Sequence, residues 1–334
     1  MMPLNFDTPI LLLIFNRPDI TEKIFNIIKS IKPMKLYIAA DGPRNNKKGD
    51  KDLCQKTRDV TNEITWDCEV KRLYRLDNLG CSEAIKTAIR WFFEHENEGI
   101  ILEDDCIPNI DYFEFTSNLL NKYRHNPKIM MITGFNPQSE SSNLVESYYF
   151  SRWATIWGWA TWKRAWCLFD EALSEWPEYS KLFEDDKYFE SCPVFKEYLM
   201  YSFDKNYMQR DKTAWSYLWV YTMLKNDGLC IVPSVNLISN IGHEGAHQTG
   251  GGYTPYLDLP TSRINSENLI DPKEIAPNHS QDMIRFNKYI KTHWRTYSAL
   301  QIGRYVRRLG IFPKYIKYHP FYIGIVILNI LKKR

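Results

Sequence analysis

The sequence predicts an α/β fold built on parallel strands, and three features of its first 135 residues predict it. Short apolar runs alternate with helix-period patterns, turn residues separate them, and acids stand directly after two of the apolar runs. In chain order, Thr8–Phe15 is a continuous apolar run and reads as a buried strand. It is about seven apolar residues long, no basic residue precedes it, and no small-residue cleavage pattern follows, so a strand is expected rather than a leader. Pro18-Asp19 opens a helix in which Ile20, Ile24, Ile27, Ile28 and Ile31 recur at three- and four-residue spacing, with Pro33 as its stop. Lys35–Ala40 and Glu69–Leu76 are the next strands. Ser82 is the expected N-cap of a helix with Ala84, Ile85, Ala88, Ile89 and Phe92 on one face, ended by Asn97-Glu98-Gly99. Gly99–Leu102 and Ile129–Thr133 complete the strands, and Asn109 or Asp111 can start a helix over Tyr112–Tyr123.

Composition places the 334 residues among globular proteins: 44% are hydrophobic, 25% charged, with 15 Gly and 17 Pro. Seven cysteines, an odd number without CxxC spacing, argue against a disulfide framework or a zinc ribbon and favour a reducing compartment. The formal charge of +3 hides an asymmetry, because the 12 basic residues after Asp282 face no acid while residues 1–282 carry a balance of −9.

The expected organisation is a catalytic domain over 1–255 and, over 256–334, a connector followed by a basic helical tail. Thr254–Ser280 reads as an extended, proline-punctuated connector. The tail closes on an apolar run of about ten residues from Phe321, against the roughly 20 needed to span a bilayer. Arg304, Arg307, Arg308, Lys314, Lys317 and Lys332–Arg334, interleaved with Tyr and Ile, suit an anionic membrane surface. A helix docked on the catalytic body, or a surface for a partner, is the alternative, and nucleic acid is not an expected partner.

Neither GxxxxGK[ST] nor a GxGxxG after a strand occurs, which weighs against P-loop and dinucleotide chemistry. The strongest local signal is Gly99-Ile-Ile-Leu-Glu103-Asp104-Asp105, an apolar strand ending in three acids. Carboxylates this close repel, and a hard divalent cation such as Mn²⁺ or Mg²⁺, shared with substrate phosphates, relieves that repulsion. Ligands of open α/β sheets bind outside the carboxyl ends of strands, where these acids fall. A solvated acidic turn before the next helix is the competing reading. Asp41, in Ala40-Asp41-Gly42-Pro43-Arg44, ends another strand and could accept from a base or ribose, and Arg17 could donate to a diphosphate. Taken singly, each is also compatible with a plain turn and a surface cation.

The runs IFNRPD, AADGPR, DNLGCSEAIKTAIRWFF and GIILEDDCIPNIDYFEF together resemble the nucleotide-sugar-binding half of GT-A fold glycosyltransferases, bacterial family-2-like enzymes and the N-acetylglucosaminyltransferase that initiates complex N-glycans above all. The likeness continues through Ile132–Asn136, Tyr149–Trp162 and Pro233–Gly242, over roughly residues 8–250. It implies a GT-A, Rossmann-like mixed sheet flanked by helices. It further implies Asp105 as ligand of Mn²⁺ or Mg²⁺, Glu103 and Asp104 on the ribose and sugar side, and Arg17 and Asp41 on the diphosphate and base. The donor would be a nucleoside-diphosphate sugar, a UDP-sugar first, carrying a hexosyl or N-acetylhexosaminyl group, and the acceptor a saccharide or lipid-linked saccharide. That fits lipopolysaccharide or capsule assembly at the inner face of the cell membrane, with the enzyme cytoplasmic and held there by its tail.

Trp153, Trp157, Trp159 and Trp162 can stack on sugar faces or simply fill the core. Trp157-Gly158 is the part best suited to line the donor or acceptor sugar, since a glycine lets backbone approach a ligand. Inverting transfer needs a carboxylate base. The family places it in a Trp-Asp-rich segment, where Thr213–Trp219 of this chain carries Ser216, so the base is expected at Asp211, upstream, or at Glu244 in the glycine-rich stretch 240–253. His243 and His247 of that stretch are candidates for the metal or the diphosphate, within a lid the resemblance implies. A catalytically silent carbohydrate-binding descendant and a sugar-phosphate nucleotidyltransferase are the alternatives, the second lacking its glycines after the first strand.

Overall fold

The computed structural model describes residues 6–138, 144–209, 215–243 and 256–289. These divide into two compact units, one drawn from Met1–Phe169 and Lys212–Asn278, the other from Asp170–Asp211 and His279–Arg334.

The first unit opens with β1 (Ile10–Ile14), α1 (Pro18–Ile31), β2 (Lys35–Ala40), α2 (Asp50–Val60), β3 (Glu69–Tyr74), α3 (Cys81–His95) and β4 (Glu98–Glu103). A short β5 (Cys106–Pro108), α4 (Asp111–Tyr123), β6 (Ile129–Thr133), β7 (Tyr148–Ser151), β8 (Trp159–Trp162) and α5 (Lys163–Trp166) follow. The eight-stranded sheet runs β3-β2-β1-β4-β8-β6 and is completed by β9 (Leu229–Pro233) and then β7. β1 to β4 are mutually parallel where they pair, as expected from the alternating pattern. β8 is antiparallel to both β4 and β6, and β7 is antiparallel to β9, so the parallel strands read from the first 135 residues sit in a mixed sheet, as the resemblance implied. The antiparallel members are Tyr148–Ser151 and Trp159–Trp162, whose aromatic composition masked two fully buried strands.

All five residues of β1 are buried, and α1 buries Ile24, Phe25, Ile28 and Ile31 along one face, each worth about 1.5–3 kcal/mol when fully removed from water. The start of α3 corrects the sequence reading. Gly80, at φ +81°, occupies the capping position, and Ser82 is buried within the first turn. At α4 the Asn109 side chain accepts the Asp111 N–H at 3.0 Å, a local turn of the kind expected there. Trp159, Trp166 and the Trp215 and Trp219 of α8 (Trp215–Lys225) pack at ring-centroid distances of 5.3–6.4 Å.

Residues 256–278 form no helix or strand and are laced along the same unit. Ile264 N–H and Arg263 Nε donate to Asp111 Oδ2 at 3.0 and 2.5 Å, Tyr148 Oη donates to Asp271 at 2.7 Å, and Asn278 N–H donates to the Phe150 carbonyl at 2.8 Å.

The second unit is helical: α6 (Trp176–Glu184), a 3₁₀ turn at Lys187–Phe189, α7 (Pro193–Gln209) and α9 (His279–Tyr289). Phe286 of α9 stacks on Phe195 with ring centroids 3.8 Å apart, and Tyr188 Oη donates to Asp282 at 2.8 Å. Arg285, first of the tail's basic residues, is fully buried here. Among the described residues no helix is long and apolar enough to cross a membrane.

Candidate functional site

The carboxyl ends of β1, β2 and β4 lie side by side because β1 pairs with both neighbours in parallel register, Ile14 against Ala40 and Leu13 against Glu103. The turn after β4 remains fastened to β1, since the Asp104 N–H donates to the Leu13 carbonyl at 3.0 Å. Arg17 stands three residues past β1, just before α1, and its carbonyl accepts the first helical bond, from Thr21 at 2.9 Å. These constraints bring Arg17 onto the acidic triplet. Its Nη2 pairs with Asp104 Oδ1, its Nε donates to Asp104 Oδ2 at 3.3 Å, and its Nη1 lies 3.0 Å from Asp105 Oδ2.

The electrostatics follow from three carboxylates sharing that guanidinium. Burial pushes Glu103 up to about 8, with Asp105 and Asp104 adding to the rise and Arg17 opposing it. Burial also raises Asp104, to about 6, against the pull of Arg17. Burial alone would lower Arg17, but the two aspartates outweigh it and hold the guanidinium above its ordinary value. The cluster thus retains negative potential that Arg17 leaves uncompensated.

Asp105 is held from the other side by a two-stranded antiparallel sheet of β5 with β10 (Ile238–Asn240). The Asp105 carbonyl accepts from Ile241 N–H at 2.9 Å. Its carboxylate rests against Gly242, where a Cβ would drive into Oδ2 well inside van der Waals contact. This small sheet is keyed to the large one by Ile238, whose side chain fills the space that a Cβ on Gly134 or on Gly158 would need. Gly158 also has φ +57°, a conformation L side chains rarely adopt. The glycine beside Trp157 therefore admits the Ile238 side chain.

Asp41 is buried, and its carboxylate takes four donors: the N–H groups of Gly42, Leu79 and Gly80 at 2.9–3.2 Å and Asn78 Nδ2 at 3.0 Å. A carboxylate offers about four lone-pair sites, so a ligand reaching Asp41 competes with the turn that it organises. Trp153, Trp159 and Trp162 are core residues. Trp157 is half-buried and packs edge-on against Phe135 at 4.7 Å. His243 pairs with Asp258 at 2.6 Å, and Asp258 N–H donates to the Asn240 carbonyl at 2.9 Å. Asp211, Glu244 and His247 lie outside the described residues.

No protein-family model and no curated protein matches this chain. The site must therefore be read from its own chemistry.

Among the described residues no group of three or more His, Cys, Asp or Glu has the arrangement of an all-protein metal cage. A Mg²⁺- or Mn²⁺-type site that takes one or two carboxylates plus phosphates needs no cage, and Asp105, a hard oxygen donor only 16% exposed in a cluster of excess negative charge, fits that pattern.

A second cluster escaped the sequence reading. Asp50, fully buried at the start of α2, accepts from Asn16 Nδ2 at 2.6 Å, from Arg44 Nε at 2.9 Å and from Arg44 Nη2 at 2.7 Å. It ties the segment after β1 to the segment after β2, and the Arg44 guanidinium lies over the Phe15 ring at 5.2 Å. The signal available was the acid after Gly49, hidden in the polar run Asn45–Lys51, which reads as solvated loop.

Proposed function

We propose that this chain is a metal-dependent glycosyltransferase of the GT-A type. It transfers a hexosyl or N-acetylhexosaminyl group from a nucleoside diphosphate, UDP first, to a saccharide or lipid-linked saccharide acceptor in surface-polysaccharide assembly, with inversion. One observation carries the reading: three carboxylates and an arginine converge at the carboxyl ends of β1 and β4, beside the turn organised by Asp41. Donor diphosphate and carboxylates repel each other, so this site suits a nucleotide that arrives with a divalent cation. Asp105 would hold Mn²⁺ or Mg²⁺, and the ion when bound supplies Lewis-acid stabilisation to the departing diphosphate. Arg17 supplies donors toward the phosphates, and the turn 77–80 and Asn78 wall the nucleoside side. Ser216, in the first turn of α8, offers no carboxylate, which leaves Asp211 and Glu244 as candidates for the base.

The test is titration calorimetry with UDP and Mn²⁺, followed by hydrolysis and transfer assays over a panel of nucleotide sugars. Nucleotide binding that needs the cation, and its loss in Asp105→Asn without a change in melting temperature, is the expected result. Absence of turnover with glycan binding intact would favour the carbohydrate-binding alternative. Cation-independent nucleotide binding would sink the metal reading.

A further inference from the structure

Among the described residues, Arg17 makes two unequal attachments to the acidic triplet. To Asp104 it presents Nε and Nη2, a two-pronged grip on a carboxylate that is only 3% exposed and whose N–H is fixed to β1. To Asp105 it presents Nη1 alone, 3.0 Å from Oδ2 of a carboxylate that is 16% exposed. The first attachment is a pivot, and the second can be given up without losing it. Oδ2 of Asp105 cannot serve Nη1 and an inner-sphere cation in the same direction.

We propose that Arg17 is an internal counter-ion that is exchanged. Its Nη1 occupies Asp105 before ligands arrive, and it passes to a diphosphate oxygen when a divalent cation takes Asp105, while Nε and Nη2 stay on Asp104. No bond is made or broken beyond these ionic contacts, and the cluster keeps a cation on Asp105 in either state. The consequence is coupling. The diphosphate draws Nη1 away and so admits the ion, and the ion frees Nη1 for the diphosphate, a linkage that must be reciprocal. This inference rests on the metal reading above and adds that the acidic triplet disfavours free cation when no nucleotide is present.

The experiment measures Mn²⁺ binding to the full chain by the loss of the free-ion spin-resonance signal, with Mn²⁺ alone, with pyrophosphate and with UDP. Arg17→Met should bind Mn²⁺ alone about tenfold more tightly than the wild type and show a smaller enhancement on adding pyrophosphate, within the usual range of site–site coupling. Arg17→Lys separates exchange from simple loss of charge. One ammonium can satisfy Asp104 but cannot also reach across to Asp105 as a fork does, so this variant too should gain affinity for Mn²⁺ alone. It also keeps a cation in the site should the methionine variant fail to fold. Unchanged or weaker Mn²⁺ affinity in the folded variants, with wild type still binding Mn²⁺ together with UDP, overturns the exchange and leaves the metal reading standing. No Mn²⁺ uptake by any of the three proteins under any condition overturns both.

Discussion

At the scale of single residues, the site is made from charges that are partly or wholly removed from water, and each must be answered by a neighbour. Asp50 is the clearest case. Its hydrogen bonds from the Arg44 side chain hold its carboxyl well below the ordinary range, against the upward push of burial, with the Arg44 backbone and Asn16 assisting. A folded-state value below the unfolded value of about 3.9 means that the stabilisation is fully present above pH 4 and drains away as pH falls toward the folded value. Asp50→Asn should therefore cost about 2 kcal/mol at neutral pH, in line with hydrogen bonds to charged groups, and flatten the loss of stability between pH 4 and pH 2. Urea melts at a series of pH values check both, and an unchanged acid slope would remove Asp50 as its source. Gly242 makes a complementary point, because a methyl group there competes with the Asp105 carboxylate itself. Gly242→Ala should leave the melting temperature nearly unchanged and weaken Mn²⁺-dependent UDP binding about tenfold, as a displaced ligand carboxylate does. Calorimetry with UDP and Mn²⁺ reads the difference.

At the scale of elements, position is set by how the small β5–β10 sheet docks on the large one, and the docking depends on Ile238 between two glycines. Ile238→Ala opens a cavity in a fully buried contact and should cost about 2–5 kcal/mol. Because Asp105 adjoins β5, the same variant should also weaken Mn²⁺-supported nucleotide binding, whereas Ile238→Val, one methylene smaller, should retain most of it. Loss of stability with unaltered binding would mean that the small sheet does not position Asp105. Little of this was readable beforehand. Strands β1, β2, β4 and β6 announce themselves as short apolar runs, and the acids after β2 and β4 are visible in one dimension. The Gly134–Gly158–Ile238 contact joins residues about 80 to 100 positions apart, and no local pattern encodes it. α2 was missed for a related reason: its buried face is Asp50, Cys54 and Thr57, too polar for the hydrophobic period that revealed α1 and α3. Ser82 misled because it is a good N-cap residue in the wrong turn, where Gly80 supplies the positive φ that the Asp41-organised loop requires.

At the scale of the whole chain, charge is divided along the sequence, and the structure changes where a division should be drawn. Basic residues begin at Arg285, yet Arg285 is buried with Asp282 in the helical unit, and Phe286 stacks into its aromatic core. Its charge is spent internally and cannot draw the protein to an anionic surface. Removal of the chain from about residue 283 would delete seven of the 11 residues of α9, the buried Arg285 and Phe286 among them, and unfold the helical unit, so that lost membrane binding would say nothing about the tail. The informative truncation ends at Tyr289, which keeps α9 whole and removes 45 residues, Ile290–Arg334, carrying ten of the 12 basic residues after Asp282. If those residues hold the protein at a membrane through charge and an apolar end, the truncated chain should lose sedimentation with liposomes containing phosphatidylserine. The full chain should bind more weakly as salt rises, since each surface-proximal Lys or Arg contributes about 1 kcal/mol that falls off within a Debye length. The circular-dichroism melt should be the same for both proteins. Equal liposome binding by both would assign membrane contact to residues 1–289 or abolish it altogether, and the basic tail would then be sought by a protein partner instead.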